Sequence, residues 1–351
     1  MVKIDSTQKL DFNNVLITPK RSTLNSRKEV NLQRSFIFSH GQTWNGLPIM
    51  TANMTSTGTL DVYKEVVQYK MLTCLHKFYN KNHFEQYNIN NPTNQLDPEY
   101  FIVSTGIREN DYENLCEICD NIPTKWICID VANGYIPSLL TFCKRVRNRY
   151  PKHIIIAGNV ATSEMTEALC LEGGVDIIKC GIGPGSVCTT RKKTGVGVPQ
   201  LSCIMDCADA AHGINRHIIG DGGITCPGDL SKAFCGGADF VMMGGVFSGH
   251  IENPGDIIEK IIDGEVKKFK RFYGMSSTHA MNTHYGKKDK YRASEGKVVE
   301  VPLRGSIHET IEDYLGGLRS TCTYIGAKNI KNMSKCTTFI LVTAQLNNIF
   351  S

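Results

Sequence analysis

The richest chemistry in the sequence sits in one glycine-rich stretch, Lys179-Cys180-Gly181-Ile182-Gly183-Pro184-Gly185-Ser186-Val187-Cys188-Thr189-Thr190-Arg191. Glycines at alternate positions let the backbone turn tightly and present N–H and C=O groups to a ligand or ion. Cys188 stands there beside two hydroxyls and a cation, and a thiolate needs an electropositive, accessible setting to act as a nucleophile. Cys180, at the end of the preceding apolar run, is the competing thiol. Two more turns, Gly220-Asp221-Gly222-Gly223-Ile224 and Met243-Gly244-Gly245-Val246, also follow apolar runs. Consecutive Gly-Gly turns offer backbone amides to a phosphate. Asp221, which can only accept hydrogen bonds when ionised, suits ribose hydroxyls instead.

These loops need elements to carry them. Eight short apolar runs are marked by Ile49, Leu72, Ile102, Ile127, Ile154, Ile177, Ile218 and Val241. Their steps are 23, 30, 25, 27, 23, 41 and 23 residues. Continuous apolar character suits parallel strands buried on both faces. Helical patterns fill the gaps, as in Thr162–Cys170 before Gly173-Gly174 and Pro227–Cys235 before Gly236-Gly237. Eight such units predict an α/β protein, a (β/α)8 TIM barrel, whose site is built from the loops after the strands. A doubly wound open sheet is the alternative, disfavoured because no G-x-G-x-x-G follows the first run. The 41-residue step predicts a long mobile loop at about 180–200. A second irregular region is expected at about 267–304. The barrel would occupy one domain over 1–351, with N- and C-terminal extensions.

Composition narrows the function classes. Of 351 residues, 41% are hydrophobic and 21% charged, which excludes a disordered chain. Met1 to Ser6 has no apolar signal core, and no apolar run is long enough to span a membrane. Fourteen cysteines are therefore expected to be reduced, in a cytosolic protein. The net charge of +5 is concentrated between Glu265 and Arg304, where ten Lys/Arg meet four Asp/Glu. Such a segment favours a phosphorylated small molecule. No nucleic-acid-binding pattern and no membrane partner is indicated. Cys116-x-x-Cys119 is one pair, too few for a closed zinc site, and reads as helix core. His279 and His284 lack a metal-binding spacing, and Trp44 and Trp126 read as core.

The run Gly181–Arg191 resembles the catalytic loop of the IMP dehydrogenase and GMP reductase family. Asp221-Gly222-Gly223, Gly244-Gly245, Tyr273-Gly274-Met275-Ser276-Ser277 and Tyr291-Arg292-Ala293-Ser294-Glu295-Gly296-Lys297 match the rest of its pattern in order. The similarity runs from about Leu10 to the C-terminus. Only thirty residues separate Leu72 from Ile102, which leaves no room for the regulatory domain pair usual in the dehydrogenases. Glu295 in the flap and Met275-Ser276-Ser277 resemble the reductase branch, in its animal form. Thr55-Ser56-Thr57, Val198 and the apolar residues around Phe247 depart from the family's usual residues without removing a catalytic group.

The resemblance implies NADPH-dependent reductive deamination of GMP to IMP and ammonia through a covalent thioimidate on Cys188. Thr190 and Glu295 together would protonate the departing amine. It implies that Ser186, Asp221, Gly222, Gly223, Gly244, Gly245, Gly274, Met275, Ser276, Arg292, Ala293, Ser294, Glu295 and Gly296 hold the nucleotide. Lys77, Asp130, Val131, Ala132, Ile182, Gly183, Met275, Tyr291 and Arg292 would contact NADPH. Ser26 and Arg27, with Ser320, Thr321, Cys322 and Thr323, would reach it from a neighbouring subunit of a homotetramer. Carbonyls of Gly183, Gly185, Cys188 and Arg191 would hold a monovalent cation such as potassium. The alternatives are an IMP dehydrogenase lacking its regulatory domains and a purine-nucleotide-binding protein without catalysis.

Overall fold

The computed structural model describes residues 2–278, 280–281 and 293–343. Eight parallel strands close into a barrel: β1 (Ile49–Thr51), β2 (Leu72–Cys74), β3 (Phe101–Thr105), β4 (Trp126–Asp130), β5 (Ile154–Val160), β6 (Ile177–Cys180), β7 (His217–Asp221) and β8 (Phe240–Met243). Each pairs with its sequence neighbour, and β8 returns to β1 with Val241 opposite Ile49. Eight helices follow the strands: α1 (Leu60–Val66), α2 (Lys81–Asn90), α3 (Glu109–Asn121), α4 (Pro137–Arg149), α5 (Ser163–Leu171), α6 (Gln200–Gly213), α7 (Pro227–Cys235) and α8 (Ile307–Ile325). The closed order bears out the barrel over the open sheet.

The apolar runs are continuous because both strand faces are covered. Along β4, Trp126 and Cys128 join the cluster inside the barrel, while Ile127 and Ile129 join the layer beneath the helices. In β6 the same period of two sends Ile177 inward and Ile178 outward. At the last inward position of several strands the chain is polar. Those positions form the floor of the site. α8 buries Ile307, Ile311, Tyr314, Leu315, Leu318, Cys322 and Ile325, one stripe at helical spacing. Its N-cap Ser306 accepts from the His308 amide.

The opposite end of the barrel is plugged. A hairpin pairs Arg34–Ile37 with Thr43–Gly46. Its Phe36 stacks on Phe240 at 4.4 Å, and Trp44 meets Trp126 edge-on at 5.6 Å. Trp44 and Trp126 are thus core. The terminal extensions meet as well, Val15–Ile17 pairing antiparallel with Phe339–Leu341.

The region expected to be irregular after β8 begins and ends in a sheet that a further strand before it joins. β9 (Ile258–Ile262), β10 (Glu265–Tyr273) and β11 (Val298–Pro302) are antiparallel, with Tyr273 opposite Val298. The sheet escapes a search for apolar runs because it stands out from the barrel and carries charge on largely exposed faces. His279 and His284 lie outside the described residues.

Candidate active site

Three inward side chains at the C-terminal ends of β4, β6 and β7 set the floor. Asp130 follows Trp126 and Cys128 on the inner face of β4, Lys179 follows Ile177 on β6, and Asp221 follows Ile219 on β7. The Lys179 ammonium lies 2.7 Å from Asp130 and 2.8 Å from Asp221, with its side chain only 4% exposed. Burial pushes that ammonium towards neutrality, but the two carboxylates outweigh it and raise its pKa well above the usual lysine value. Burial would likewise raise the Asp130 carboxyl; Lys179 more than reverses this and holds it below the ordinary range. Asn159 at the top of β5 donates to Asp221 at 2.8 Å and to the Gly181 carbonyl at 2.8 Å.

The loop that leaves β6 is tied at both ends. Gln200, buried at the start of α6, donates to the carbonyls of Cys180 and Asp221 at 3.2 and 3.1 Å. Asp11 accepts from the Gln200 amide at 2.5 Å and from Arg191 at 3.2 Å. Arg191 also donates to the Val198 carbonyl at 2.6 Å. Since only the backbone oxygen of Val198 takes part, that departure from the family leaves this contact intact. A one-turn helix, Thr190–Thr194, stands between these anchors.

Cys188 sits two residues before that turn begins, half-buried. Its thiol donates to the Thr190 hydroxyl at 3.2 Å, and that hydroxyl donates to the Glu295 carboxylate at 2.6 Å. Glu295 arrives 105 residues later in the chain and is fixed by backbone. The Thr189 amide donates to the Glu295 carbonyl at 2.7 Å, and Lys297 donates to the Val187 carbonyl at 3.0 Å. Cys188 and Gly296 form an antiparallel bridge, and Ser277 pairs with Gly296 from the other side. A Cβ at Gly296 would lie 2.8 Å from the Ser277 nitrogen and 3.1 Å from the Gly274 Cα. Those neighbours are backbone and cannot rotate away. Gly296→Ala should therefore lift the segment and pull Glu295 off Thr190. We expect kcat to fall roughly 10–100-fold, the scale of an ångström-sized misplacement, with little change in global stability. A variant within twofold of the parent in steady-state kinetics would refute this.

Two cavities meet at this relay. One, of about 260 Å³, takes in Asp130, Lys179, Gly183, Cys188, Thr190, Asp221 and Glu295. The other, of about 560 Å³, runs past Lys77, Arg108 and Asp111 to Ala293. Asp130, Val131, Ala132, Met275, Ser276 and Glu295 line both. A side-by-side pair of chambers, with the Glu295 carboxylate at the junction and the Cys188 thiol in the smaller one, suits a reaction between two substrates. Lys77 and the Asp111 carboxylate are 3.2 Å apart.

The glycine turns are built for close approach. Gly222 and Gly223 have φ of +86° and +82°, a region L side chains rarely enter. A Cβ at Gly245 would fall 2.6 Å from the Ser186 hydroxyl, so that hydroxyl overlies the second Gly-Gly turn. Ile182, Gly185, Gly274 and Gly296 line the smaller cavity, and Ser294 donates to the Gly296 carbonyl. Tyr291 and Arg292 lie outside the described residues. Thr55 donates to the Tyr273 hydroxyl at 2.9 Å, and Phe247 is buried. Gly244 comes against Met54 and Ala52, near the same mouth.

Several residues stand apart from the junction. The turn Arg27–Glu29, capped by Ser26, packs on α8, which carries Ser320 to Thr323. Neither group lines the two cavities. The Cys322 side chain is wholly buried in the α8 stripe. Cys180 is buried too, which removes it as the competing nucleophile. The Gly185 carbonyl accepts from the Cys188 amide and the Arg191 carbonyl from the Gly195 amide, each leaving one lone pair for a cation. Cys116 and Cys119 are half-buried on α3, where burial pushes the Cys119 thiol up to about 12. Sequence reasoning misses Lys179, Asn159 and Gln200 as site residues. For Lys179 a signal exists: a cation inside an apolar strand, two residues after an inward Ile177.

A model of the IMP dehydrogenase / GMP reductase domain matches residues 9–347. The chain is 54% identical to GMP reductase 2 of Homo sapiens, over 100% of this chain and 99% of that protein. It is 49% identical to GMP reductase of Caenorhabditis elegans, over 100% and 96%. It is 52% identical to GMP reductase of Tolumonas auensis, over 99% of each.

Proposed function

Because the chain belongs to the IMP dehydrogenase / GMP reductase family, we propose that it is a GMP reductase, converting GMP and NADPH to IMP, ammonia and NADP⁺. The observation that carries this reading is the Cys188–Thr190–Glu295 relay, which runs from the smaller cavity to the carboxylate that lines both. Cys188, as thiolate, attacks purine C2. Thr190 and Glu295 deliver a proton to the exocyclic amine, which is a poor leaving group until protonated. Ammonia departs and a thioimidate on Cys188 remains. NADPH supplies the hydride that completes the reduction at C2. The carbon–sulfur bond then breaks and the thiolate is restored.

The smaller cavity suits the nucleotide. Asp221, on its wall, accepts from the ribose, and the Gly222-Gly223 and Gly244-Gly245 turns surround the phosphate beside an adjoining cavity of about 220 Å³ that Ser186 and Gly245 line. The larger cavity, with Lys77, Asp130, Val131, Ala132, Met275 and Ser276, fits a dinucleotide by its volume and its mixed polar walls. Carbonyls of Gly183, Gly185, Cys188 and Arg191 hold a monovalent cation that stiffens the loop. The working form is a cytosolic homotetramer in which Ser26, Arg27, Ser320, Thr321 and Thr323 of one subunit reach the cofactor of the next. The test is NADPH consumption with GMP and ammonia measured in the same tube. One ammonia per NADPH supports the reading; steady NAD⁺ reduction by IMP would identify a dehydrogenase instead.

Arg27 is exposed, and a 2′-phosphate calls for a cationic partner. NADPH should therefore outperform NADH, and Arg27→Ala should weaken NADPH more than NADH. An equal loss for both in kcat/KM would refute the assignment.

A further inference from the structure

Outside the relay, three thiols converge at the root of the catalytic loop. Cys180 ends β6, and Cys203 and Cys207 share one face of α6, four residues apart. Each is 0% exposed, and their three sulfurs lie within 4.8 Å of one another. Among the described residues this is the one group of three or more Cys, His, Asp or Glu side chains arranged to share a metal ion. A three-coordinate thiolate site with metal–sulfur bonds of about 2.3 Å needs sulfurs about 4 Å apart, so small χ1 adjustments close the set. The ligand set is sulfur alone, with no carboxylate or imidazole, which selects soft cations against calcium or magnesium.

We infer that Cys180, Cys203 and Cys207 form a binding site for a soft, thiophilic cation, Cu(I) foremost, that ties together the two roots of the catalytic loop. A trigonal sulfur shell satisfies Cu(I) without a water, as a dry pocket requires, whereas Zn(II) calls for a fourth ligand. Each Cu–S bond forms as an S–H bond is lost, up to three protons per ion passing to solvent with no change in copper oxidation state. Cys180 immediately precedes Gly181, and Cys203 stands three residues after Gln200, whose side chain holds the Cys180 carbonyl. An ion here clamps the strand that launches the loop to the helix that receives it, whether or not the chain turns over GMP.

The test is anaerobic Cu(I) titration of the full chain against the chelator bicinchoninate. It is done in a Cys188→Ser background, so that the reactive thiol contributes nothing. One Cu(I) retained per chain is expected. Cys203→Ala and Cys207→Ala should each weaken retention more than about 100-fold, beyond the 10–100-fold usual for changes outside the ligand shell. Cys119→Ala, which dismantles the Cys116–Cys119 pair, should leave it unchanged. Copper K-edge absorption should show a shell of three sulfurs. No retention in the background protein, retention that survives Cys203→Ala, a two-sulfur shell, or Zn(II) held while Cu(I) is refused would each overturn the proposal. Thermal melts of the apo variants confirm that they fold.

Discussion

Replacing Glu295 by glutamine should separate the two halves of the reaction. Deamination must protonate a leaving amine, and the carboxylate on the Cys188–Thr190 relay is that of Glu295, 2.6 Å from the Thr190 hydroxyl. The introduced amide keeps an oxygen to accept from Thr190, so geometry survives while the acid is lost. GMP reduction should fall roughly 10²–10⁴-fold, the usual contribution of a general acid. The reverse half-reaction, Cys188 adding to IMP with hydride passing to NADP⁺, moves no proton onto an amine. The Glu295→Gln enzyme should therefore still form up to one NADPH per site from IMP and NADP⁺ without ammonia. Cys188→Ala should lose both activities yet still bind GMP, because the glycine turns are untouched. If Glu295→Gln removed the burst as fully as Cys188→Ala, the division of labour would be wrong. If Glu295 only pinned the flap, GMP KM would rise and both halves would suffer equally.

Lys179→Met should cost about 3 kcal/mol of stability, the lower end of the 3–5 expected when a buried ion pair loses one partner. The lower end applies because Asp130 and Asp221 keep 35% and 19% of their side-chain exposure. Two carboxylates would be left facing each other at the barrel mouth, and activity should collapse with them. Adding Asp130→Asn should recover part of the stability. The pH dependence follows from the shifts. Asp130 has a folded pKa below its unfolded value of about 3.9, so its contribution is present above that pH and lost as pH falls through the folded value. Lys179 has a folded pKa above about 10.4, so its contribution is full below that and lost as pH rises through the folded value. Without Lys179, burial is opposed only by the hydrogen bond from Asn53 and the charge of Lys77, so the Asp130 carboxyl rises relative to the parent. The stability gap between parent and Lys179→Met should thus narrow as pH falls from 7 towards 4. Urea unfolding at several pH values measures it; a gap under about 1 kcal/mol at neutral pH would refute the account.

What the sequence discloses follows from burial. The eight barrel strands are legible because covering both faces forces unbroken apolar runs such as Ile154–Ile156, and Cys188 and the Gly-Gly turns are legible because chemistry and close approach restrict residue choice. The hairpin Arg34–Ile37/Thr43–Gly46 is not, since its core residues Phe36, Phe38 and Trp44 are scattered among exposed ones. The flap strands β9 and β10 are not, because little of their surface is covered. Lys179, Asn159 and Gln200 escape notice for a different reason. Asn159 and Gln200 matter through partners far away in sequence, which local composition does not show, and the one local sign of Lys179, a cation inside an apolar strand, does not say which carboxylates it meets.

The pairing of Val15–Ile17 with Phe339–Leu341 bears on how the chain is made. A ribosome adds about 5–20 residues per second, so the first strand waits on the order of half a minute before its partner is synthesised. The aromatic plug waits too, since Phe36 stacks on Phe240, which belongs to the last barrel strand. Vectorial synthesis thus delivers the stopper and the first stitch early and the surfaces that receive them late. The Val15–Ile17 segment must stay without its partner through nearly the whole of translation, and the plug undocked until Phe240 has been made. Nascent chains stalled before residue 339 should be clipped by protease near the N-terminus, and released full-length chains should resist; equal resistance would show that the seam is dispensable.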